Sequence, residues 1–394
     1  MLINKLQLSL ITILLLLIPF HTLVIANIID ISVLNLWKEG ILFLLIGLFL
    51  LNFSITNKFD FIDLFIVLTV VYFIFITSLS FFSISSLYGL RNLIEPLLFL
   101  LVVRNVKVSG KFFRELIRLL VLIAFFISLF GIFQCLYLGD QFLLDLGYSS
   151  GSNGGLHHSF YFSGGILQRN VGTFSSPNDF GFFLTVVIVM LDYYKIFKKK
   201  SVLWLMNVVL YFSLFLTFSR SAILGLALYL FVNNLKKCLK IICLFVLVFS
   251  LLNFLFPELL LTINRFLSLT FSGKDPSIKG HLDSLLFSID LVKENFLFGL
   301  EMGRVGPKAS LYFNTLIDVE SSFFCLLLDV GFVGFLLYII SFIPLMNNKL
   351  VLLLLLSVFP ALFLLPMIYE LEVMLILYGL IGLISIKNNK GMDI

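Results

Sequence analysis

The sequence contains little charge for its length. Of its 394 residues, Asp, Glu, Lys and Arg together make up only 12%, whereas 60% are hydrophobic. A soluble protein of this length cannot bury so much apolar surface. Many runs reach about 20 apolar residues, the length that crosses the hydrocarbon core of a bilayer. The composition therefore predicts an all-α polytopic membrane protein, because helices satisfy their own backbone hydrogen bonds in lipid.

Metal-binding and nucleotide-binding motifs are also missing. The four cysteines lie in or beside apolar runs, without the paired spacing of a metal site or disulfide framework, and we interpret them as packing residues. The neighbouring His157 and His158 are poorly placed to share a metal ion, because adjacent residues do not point the same way on a strand or a helix. There is no paired-Asp motif for nucleotide sugars and no Walker loop. The sequence therefore predicts no metal and no other cofactor.

Charges and turn residues divide the chain into twelve predicted transmembrane spans. The first run is longer than a signal-peptide core and lacks a clear cleavage site, so we expect a retained helix. No internal repeat is visible, which removes the inverted-repeat pattern of many transporters. The predicted spans are 8–28, 37–55, 61–80, 88–103, 115–137, 179–196, 201–218, 220–235, 240–257, 320–343, 350–366 and 370–386.

Lysine and arginine positions predict the orientation of these spans. If the spans alternate, 17 of the 27 Lys and Arg residues lie on one side, which the positive-inside rule assigns to the cytoplasm together with both termini. Topology thus explains the net charge of +5, and no nucleic-acid partner is expected. Arg91, Arg169 and Arg220 lie on the outer side, at helix ends or tight turns. They are either snorkelling residues or parts of an outward-facing anion site.

Two long outer segments divide the chain into five predicted regions. The first segment is rich in Gly, Ser and Asn and is typical of a mobile loop. The second contains a predicted amphipathic helix that starts at Asp275-Pro276 and lies on the membrane or on the helical bundle. Its glycines Gly299, Gly303 and Gly306 predict a tight, flexible return to the membrane. The regions are N-terminal helices 1–137, an outer loop 138–178, central helices 179–257, a large outer loop 258–319 and C-terminal helices 320–394.

The stretch from Arg169 to Ser221 contains the strongest candidate for a binding site. Arg169 precedes a small polar segment, and Arg220 lies in the turn Thr217-Phe218-Ser219-Arg220-Ser221. The lysine run 198–200 assigns the middle of the stretch to the cytoplasm, so both arginines face outward. The two hairpin arms around Arg220 are short for a full crossing, which predicts a recessed turn with Arg220 in a partly dry site.

In such a site the planar guanidinium group of an arginine attracts a phosphate strongly. The hydroxyl groups of Thr217, Ser219 and Ser221 are further hydrogen-bond donors. Asn178 shapes the start of the helix predicted at 179, whose N-terminus also favours an anion. The stretch therefore predicts a phosphate site.

Other charged residues on the outer side have more than one interpretation. Arg91 and Glu95 share a helix face, either as an intramembrane ion pair or as a third phosphate contact tuned by the carboxylate. Glu320 begins the tenth span, either as a charge that complements the helix dipole or as a general base. His281 is the alternative base, although exposed loop histidines are more often inert. Arg304 is a further supporting candidate.

Four patches of the sequence are informative as a set: RNVGTFSSPNDFG, LTFSRSAILG, GKDPSIKGHLDSLLFSIDLVKENFLFGLEMG, and Glu320-Ser321 followed after nine residues by Gly331-Phe332-Val333-Gly334. Together they resemble the superfamily of bacterial O-antigen polymerases and O-antigen ligases, and the resemblance extends over residues 88–340. Glu320 stands where the ligases carry histidine, which favours a polymerase.

The resemblance implies a substrate, a reaction and a location. The substrate is an oligosaccharide repeat on undecaprenyl pyrophosphate, which Arg169 and Arg220 hold by motif match and Arg91 by a looser match. The implied reaction is a metal-independent, inverting glycosyl transfer at the outer face of the bacterial inner membrane, with Glu320 or His281 as base. It polymerises repeat units into O-antigen, capsule or exopolysaccharide. Membrane lipid is an implied partner, and a chain-length regulator is a further candidate.

The sequence is compatible with two other functions. An O-antigen ligase transfers finished polymer to the lipid A core. A flippase or other transporter of the lipid-linked sugar needs charged residues along a path through the membrane, whereas the unusual cations of this chain are confined to the outer half.

Overall fold

The computed structural model is built almost entirely from helices. It describes residues 2–236, 276–306 and 319–386, apart from short gaps at 30, 32–33, 57–58, 150–153 and 163–166, and it adds the single residues 239 and 317. Within these ranges the strands are short: β1 (Tyr161–Phe162) pairs with β2 (Leu167–Gln168) in antiparallel register. The predicted all-α class is confirmed for the described part of the chain.

The helices follow the predicted order of spans. The α-helices are α1 (Leu2–Leu17), α2 (Trp37–Thr56), α3 (Phe61–Leu79), α4 (Ile84–Arg104), α5 (Gly110–Phe133), α6 (Gly139–Asp145), α7 (Pro177–Tyr194), α8 (Lys200–Leu216), α9 (Arg220–Asn233), α10 (Pro276–Glu294), α11 (Ser322–Phe342), α12 (Lys349–Leu364) and α13 (Leu371–Ile384). Short 3-10 or π-helical segments are Ile18–Phe20, His21–Ile29, Leu34–Leu36, Gln134–Leu138, His158–Phe160, Ile343–Asn347 and Met367–Tyr369.

The helix lengths of the described residues support the twelve predicted membrane spans only in part. Helices cover every predicted span in the described residues, and the predicted span 240–257 lies outside them. The apolar helices α8, α9, α12 and α13 have only 14 to 17 residues each. Six segments of the described chain are long and apolar enough to cross a membrane: Leu2–Ile29, Leu34–Asn52, Phe61–Leu79, Ile84–Arg104, Gly110–Asp145 and Ser322–Asn347. The protein is a helical membrane protein, but these lengths do not establish twelve spans.

Helix α7 forms the centre of the bundle. Every residue from Phe180 to Leu191 is buried, and the helix packs against α5, α8, α9, α12 and α13. A helix that is apolar on all sides is typical of a bundle interior. The connections at its two ends are therefore attached to a rigid support.

Helices α9 and α12 approach each other very closely at Gly225. A Cβ atom at this glycine would lie 1.8 Å from the carbonyl oxygen of Ser357. Only a residue without a side chain permits this backbone contact, and small residues at helix crossings are typical of membrane bundles. The close contact keeps the first turn of α9, which begins at Arg220, beside the end of α12.

Replacement of Gly225 by leucine tests this packing. The side chain has no space at the helix crossing, so we expect Gly225→Leu to destabilise the fold by about 1–3 kcal/mol. The measurement is the thermal unfolding midpoint of the detergent-purified protein. Gly47→Leu is the matched control, because a Cβ atom at Gly47 in α2 meets nothing within 4 Å. Equal midpoints for the two variants would contradict the proposed role of this contact.

Candidate functional site

A cavity of about 440 Å³ lies where several connections of the bundle meet. Its walls come from the start of α7, the turn between α8 and α9, helix α10, the segment before α11 and the end of α12. The sequence assigns all of these connections to the outer side. Among the residues that line the cavity are six that the sequence singles out: Arg169, Asn178, Arg220, Ser221, His281 and Glu320. We call it the arginine cavity.

The guanidinium group of Arg169 is held in place by three hydrogen bonds. Its Nε donates to the carbonyl oxygen of Thr217 at 2.7 Å, Nη1 donates to the carbonyl oxygen of Ser159 at 3.0 Å, and Nη2 donates to Oδ1 of Asn178 at 2.8 Å. Guanidinium carries five N–H groups, so two remain after these bonds. The side chain therefore has a fixed orientation, and two of its donors bond to no residue in the described part of the chain.

The positive charge of Arg169 lacks a carboxylate partner in the described part of the chain. All three of its bonds go to neutral oxygens, and no ion pair of the described residues includes it. Burial and, secondarily, the charge of Arg220 lower the pKa of Arg169 to about 10. It stays protonated at neutral pH, but at a cost that a bound anion would offset. The site is electrostatically suited to an anion near both arginines.

Arg220 lies at the start of α9, directly after a constrained turn. Phe218 lines the cavity with a left-handed backbone (φ +48°), which is uncommon for a residue with a side chain, and its ring stacks on Phe162 at 4.2 Å. Thr217 and Ser219 are buried, whereas Arg220 is exposed. The prediction of a partly dry site thus fits Arg169, but it is wrong for Arg220.

The N-terminus of α7 already carries its own anion. The helix begins at Pro177, two residues before the predicted position, and Ser176 caps it by accepting the backbone N–H of Asp179. The carboxylate of Asp179 accepts the hydroxyl groups of Ser175 and Ser176 at 2.5 and 2.8 Å. A carboxylate in the first turn complements the helix dipole. Asn178 therefore contributes to the cavity through its hydrogen bond to Arg169. The carboxylate of Asp179 lies at the helix N-terminus where the sequence predicts a favourable place for a bound anion.

Helix α10 forms the opposite wall of the cavity. It begins at Pro276, as the sequence predicts, and its residues His281, Ser284 and Ser288 line the cavity. These positions are spaced by three and four residues, so they share one helix face. Leu282 and Leu285 of the same helix also line the cavity, and Leu291 and Val292 pack against the hydrophobic core. The helix thus faces the bundle through polar and apolar residues together, while Leu286 and Phe287 are exposed.

Glu320 and His281 form a pair on this wall. The Nδ1 atom of His281 lies against the Oε2 atom of Glu320, and each side chain is about one-third exposed. The hydroxyl of Ser284 also accepts the backbone N–H of Glu320 at 3.1 Å. Helix α11 begins at Ser322, so Glu320 precedes the helix and does not begin it. A carboxylate and an imidazole in contact at a cavity can exchange a proton with a bound molecule.

Ser219 and Arg304 are predicted site residues that do not line the arginine cavity. Ser219 is buried beside Ser221, with the two hydroxyl oxygens 3.3 Å apart. Arg304 lies in the segment after Gly299, where its backbone N–H bonds to the carbonyl oxygen of Glu301. The cavity wall therefore uses Ser221, while Ser219 supports the turn from behind.

Arg91 belongs to a separate cluster of charged residues. It pairs with Glu39 of α2 and with Glu95, whose Oε1 lies 3.4 Å from the arginine Nε. Lys38 lies beside Glu39 in the same cluster, at 3.9 Å. This arrangement matches the ion-pair interpretation of Arg91 and Glu95. Arg91 is not placed to contact a phosphate in the arginine cavity.

A break in helix α11 was not predicted from the sequence. Gly331 has φ +67°, and a Cβ atom there would lie 2.1 Å from the carbonyl oxygen of Leu297. The segment after α10 inserts at this break: the N–H of Leu300 bonds to the oxygen of Leu328, and the N–H of Phe332 bonds to the oxygen of Phe296. At the break, backbone groups of α11 can form hydrogen bonds with the return segment. In a continuous helix the same groups would bond within the helix. The sequence feature that could have indicated this break is Gly331, because glycine readily adopts a positive φ.

Asp329 strengthens this junction. It is fully buried, accepts the backbone N–H of Gly303 at 3.1 Å and accepts the hydroxyl of Tyr369. Ser322 makes a second link, because its hydroxyl donates to Leu365 and accepts the N–H of Ile368. Both links fix the turn after α12 against α11, beside the cavity wall that carries Glu320.

Removal of the Asp329 side chain tests the junction. Asp329→Ala leaves the N–H of Gly303 and the hydroxyl of Tyr369 without a buried partner, so we expect a loss of stability of about 2–5 kcal/mol. Asp329→Asn keeps an acceptor and should cost clearly less. Thermal unfolding in detergent measures both variants. If alanine were tolerated as well as asparagine, the hydrogen bonds would not be what stabilises the junction.

Comparison of the chain with models of known protein families and with curated proteins finds no match.

Proposed function

We propose that this protein is a bacterial glycosyltransferase that polymerises oligosaccharide repeat units carried on undecaprenyl pyrophosphate. The product is a surface polysaccharide such as O-antigen, capsule or exopolysaccharide. The reaction takes place at the outer face of the inner membrane, both termini lie in the cytoplasm, and neither a metal nor another cofactor takes part. The observation that carries the proposal is the arginine cavity, in which two arginines share the space with a carboxylate–imidazole pair.

The arginine wall suits the leaving group of this reaction. Arg169 is fixed by neutral partners and keeps two N–H groups that bond to none of the described residues, while Arg220 is exposed at the same cavity. A pyrophosphate carries several negative charges and gains more as its bond to the sugar breaks. Fixed cationic donors stabilise that developing charge without reorganisation. Arg169 therefore binds and orients the pyrophosphate, and Arg220 adds charge from the exposed side.

The opposite wall suits the activation of the acceptor. Glu320 takes the proton from a hydroxyl group at the non-reducing end of a new repeat unit. The hydroxyl oxygen forms a bond to the anomeric carbon of the growing chain, and the bond from that carbon to the pyrophosphate oxygen breaks. The electron pair leaves with the pyrophosphate. A single displacement of this kind inverts the anomeric configuration.

His281 acts through its contact with Glu320. An imidazole beside a carboxylate orients the carboxylate and shares the proton that it accepts. The serine hydroxyl of Ser284 fixes the backbone of Glu320 as well. The base is thus held by helix α10 on two sides, and we assign the base role to Glu320 and a positioning role to His281.

A transport function is disfavoured by the packing of α7. A second cavity of about 580 Å³ lies at the other end of this helix, lined by Tyr193, Tyr194 and Arg104 among others. Asn178 at the start of α7 lines the arginine cavity. Between the two ends the helix is completely buried and carries no charged residue from Phe180 to Leu191. The described residues along this helix offer no polar path that would join the cavities.

An O-antigen ligase is the second candidate, and one contact favours it. The ligases carry histidine at the position of Glu320, and here the imidazole of His281 reaches the same place from α10. The two functions differ in their acceptor. Purified polymerase makes a ladder from lipid-linked repeat units alone, whereas a ligase also needs the lipid A core. Deletion of the gene leaves single-repeat surface glycan in the first case and lipid-linked polymer with bare core in the second.

Replacement of Arg220 tests the pyrophosphate site. Because the side chain is exposed, Arg220→Ala should fold normally, and we expect the polymerisation rate to fall by about 10²–10³-fold. The assay combines purified protein with its native lipid-linked repeat and scores the ladder and the released undecaprenyl pyrophosphate. Lys293→Ala is the matched control, because this exposed cation of α10 pairs with Asp290 away from the cavity.

A cellular experiment completes this test. In a strain whose protein carries both Arg169→Ala and Arg220→Ala, at normal protein levels, we expect only single repeat units on the surface. Unchanged polymer length in that strain would rule out the proposed role of the two arginines.

Replacement of Glu320 tests the base. Glu320→Gln keeps the size of the side chain but cannot accept the proton, so we expect kcat to fall by about 10²–10⁴-fold with little change in KM. His281→Gln should reduce kcat less, since it removes only the positioning contact. Asp290→Asn is the control carboxylate on the same helix. A larger loss for His281→Gln than for Glu320→Gln would assign the base to the histidine instead.

A further inference from the structure

Four phenylalanine rings form a contiguous patch on helices α11 and α12. Phe323 is at the centre, with its ring 5.7 Å from Phe359, 6.4 Å from Phe363 and 6.4 Å from Phe335. The rings of Phe359 and Phe363 stack at 6.0 Å. Phe335 comes from the second half of α11 and reaches Phe323 because the helix is broken at Gly331. We call these four residues the aromatic patch.

The aromatic patch is exposed at Phe359 and Phe363, half-buried at Phe323 and Phe335, and borders the arginine cavity. Phe359 and Phe363 are 47% and 40% exposed. Phe363 itself lines the arginine cavity, and Phe323 follows two residues after Ser321, which also lines it. Phe359 lies one helical turn from Phe363, away from the cavity. An apolar surface therefore begins at the cavity and continues along α12, in a helix composed almost entirely of apolar residues.

We propose that the aromatic patch binds the first isoprenoid units of the polyprenyl tail whose pyrophosphate occupies the arginine cavity. This inference rests on the proposed function, because it assumes a lipid-linked phosphate as the ligand. The cavity has the size of a site for a drug-sized ligand, so a polyprenyl chain must leave it. The patch is an apolar surface in direct contact with the cavity, and it leads the tail towards the bilayer between α11 and α12.

The chemistry of the patch fits an isoprenoid chain. Each isoprene unit has a planar double bond and a methyl branch, and flat apolar groups pack well on aromatic faces. Other lipids already surround the protein in the membrane, so transfer from water adds little to the affinity, and packing contacts decide the preference. The patch therefore orients the tail and has only a moderate effect on binding. The two arginines fix one end of the lipid and the phenylalanines fix the adjoining segment.

Photolabelling tests the proposal without requiring turnover. The probe is a polyprenyl monophosphate with a diazirine in its first isoprenoid units, added to the purified full-length protein in lipid nanodiscs. We expect label within residues 322–335 and 358–364. Phe359→Ala/Phe363→Ala should reduce it by about threefold to tenfold, whereas Phe126→Ala, a 64% exposed phenylalanine of α5, should leave it unchanged. Label spread over other helices, or unchanged in the double variant, would overturn the proposal.

A chain-length comparison uses the polymerisation assay. The Phe359→Leu variant keeps an apolar side chain without a ring, at a position away from the arginine cavity. We expect it to raise KM by about threefold or more for the native polyprenyl substrate and to leave KM unchanged for an analogue with a short, water-soluble tail. Equal effects on both substrates would contradict a tail site, as would a changed oligomeric state, which would assign the patch to a second copy of the chain.

The two experiments separate this inference from the proposed function. Failure of the wild-type protein to form a ladder would contradict the polymerase proposal, while photolabelling would still report on tail binding. Ladder formation without any effect of the phenylalanine variants would contradict the tail site alone.

Discussion

The half-buried guanidinium group of Arg169 is the constraint on which the candidate site depends. Its hydrogen bonds join the turn before α9, the loop around Ser159 and the start of α7. A partly buried cation held by neutral oxygens is unfavourable unless an anion binds nearby. Among the described residues no carboxylate neutralises this charge at the cavity. The same three bonds that orient Arg169 also bring Asn178 to the cavity wall and fix the turn that carries Arg220.

The second constraint is the break in α11. A continuous helix would have no backbone groups to offer the segment that returns from α10, whereas the break at Gly331 leaves Leu328 and Phe332 with partners in that segment. Helix α10 is connected directly to this segment and lines the cavity with His281 and Ser284. The break thus determines where α10 ends and supports the wall that contacts Glu320. It also turns the second half of α11 so that Phe335 reaches Phe323.

Much of the site followed from the sequence because charge is costly in an apolar chain. Arg169 and Arg220 stand out among apolar runs, and the lysines at 198–200 place them on one side. Their common cavity agrees with that interpretation. Local sequence patterns could not predict the solvent exposure of each arginine. Arg220 is exposed, whereas Arg169 is half-buried. Arg91 is likewise a charged residue in an apolar segment, but it forms ion pairs with Glu39 and Glu95. Glu39 is too distant in the sequence for a local pattern to indicate this pairing.

The sequence by itself determined the all-α membrane class, the positions of the helices in the described ranges and the start of α10 at Pro276, because apolar composition and capping residues act locally. In the described ranges, six segments are long and apolar enough to cross a membrane, because the length of each helix depends on where packing ends it. Only the tertiary structure decided that His281 meets Glu320 and that Asp329 bonds to Gly303 and Tyr369. These contacts join residues that are 26 to 40 positions apart. No periodicity encodes such pairs, since they depend on how whole helices are arranged around α7.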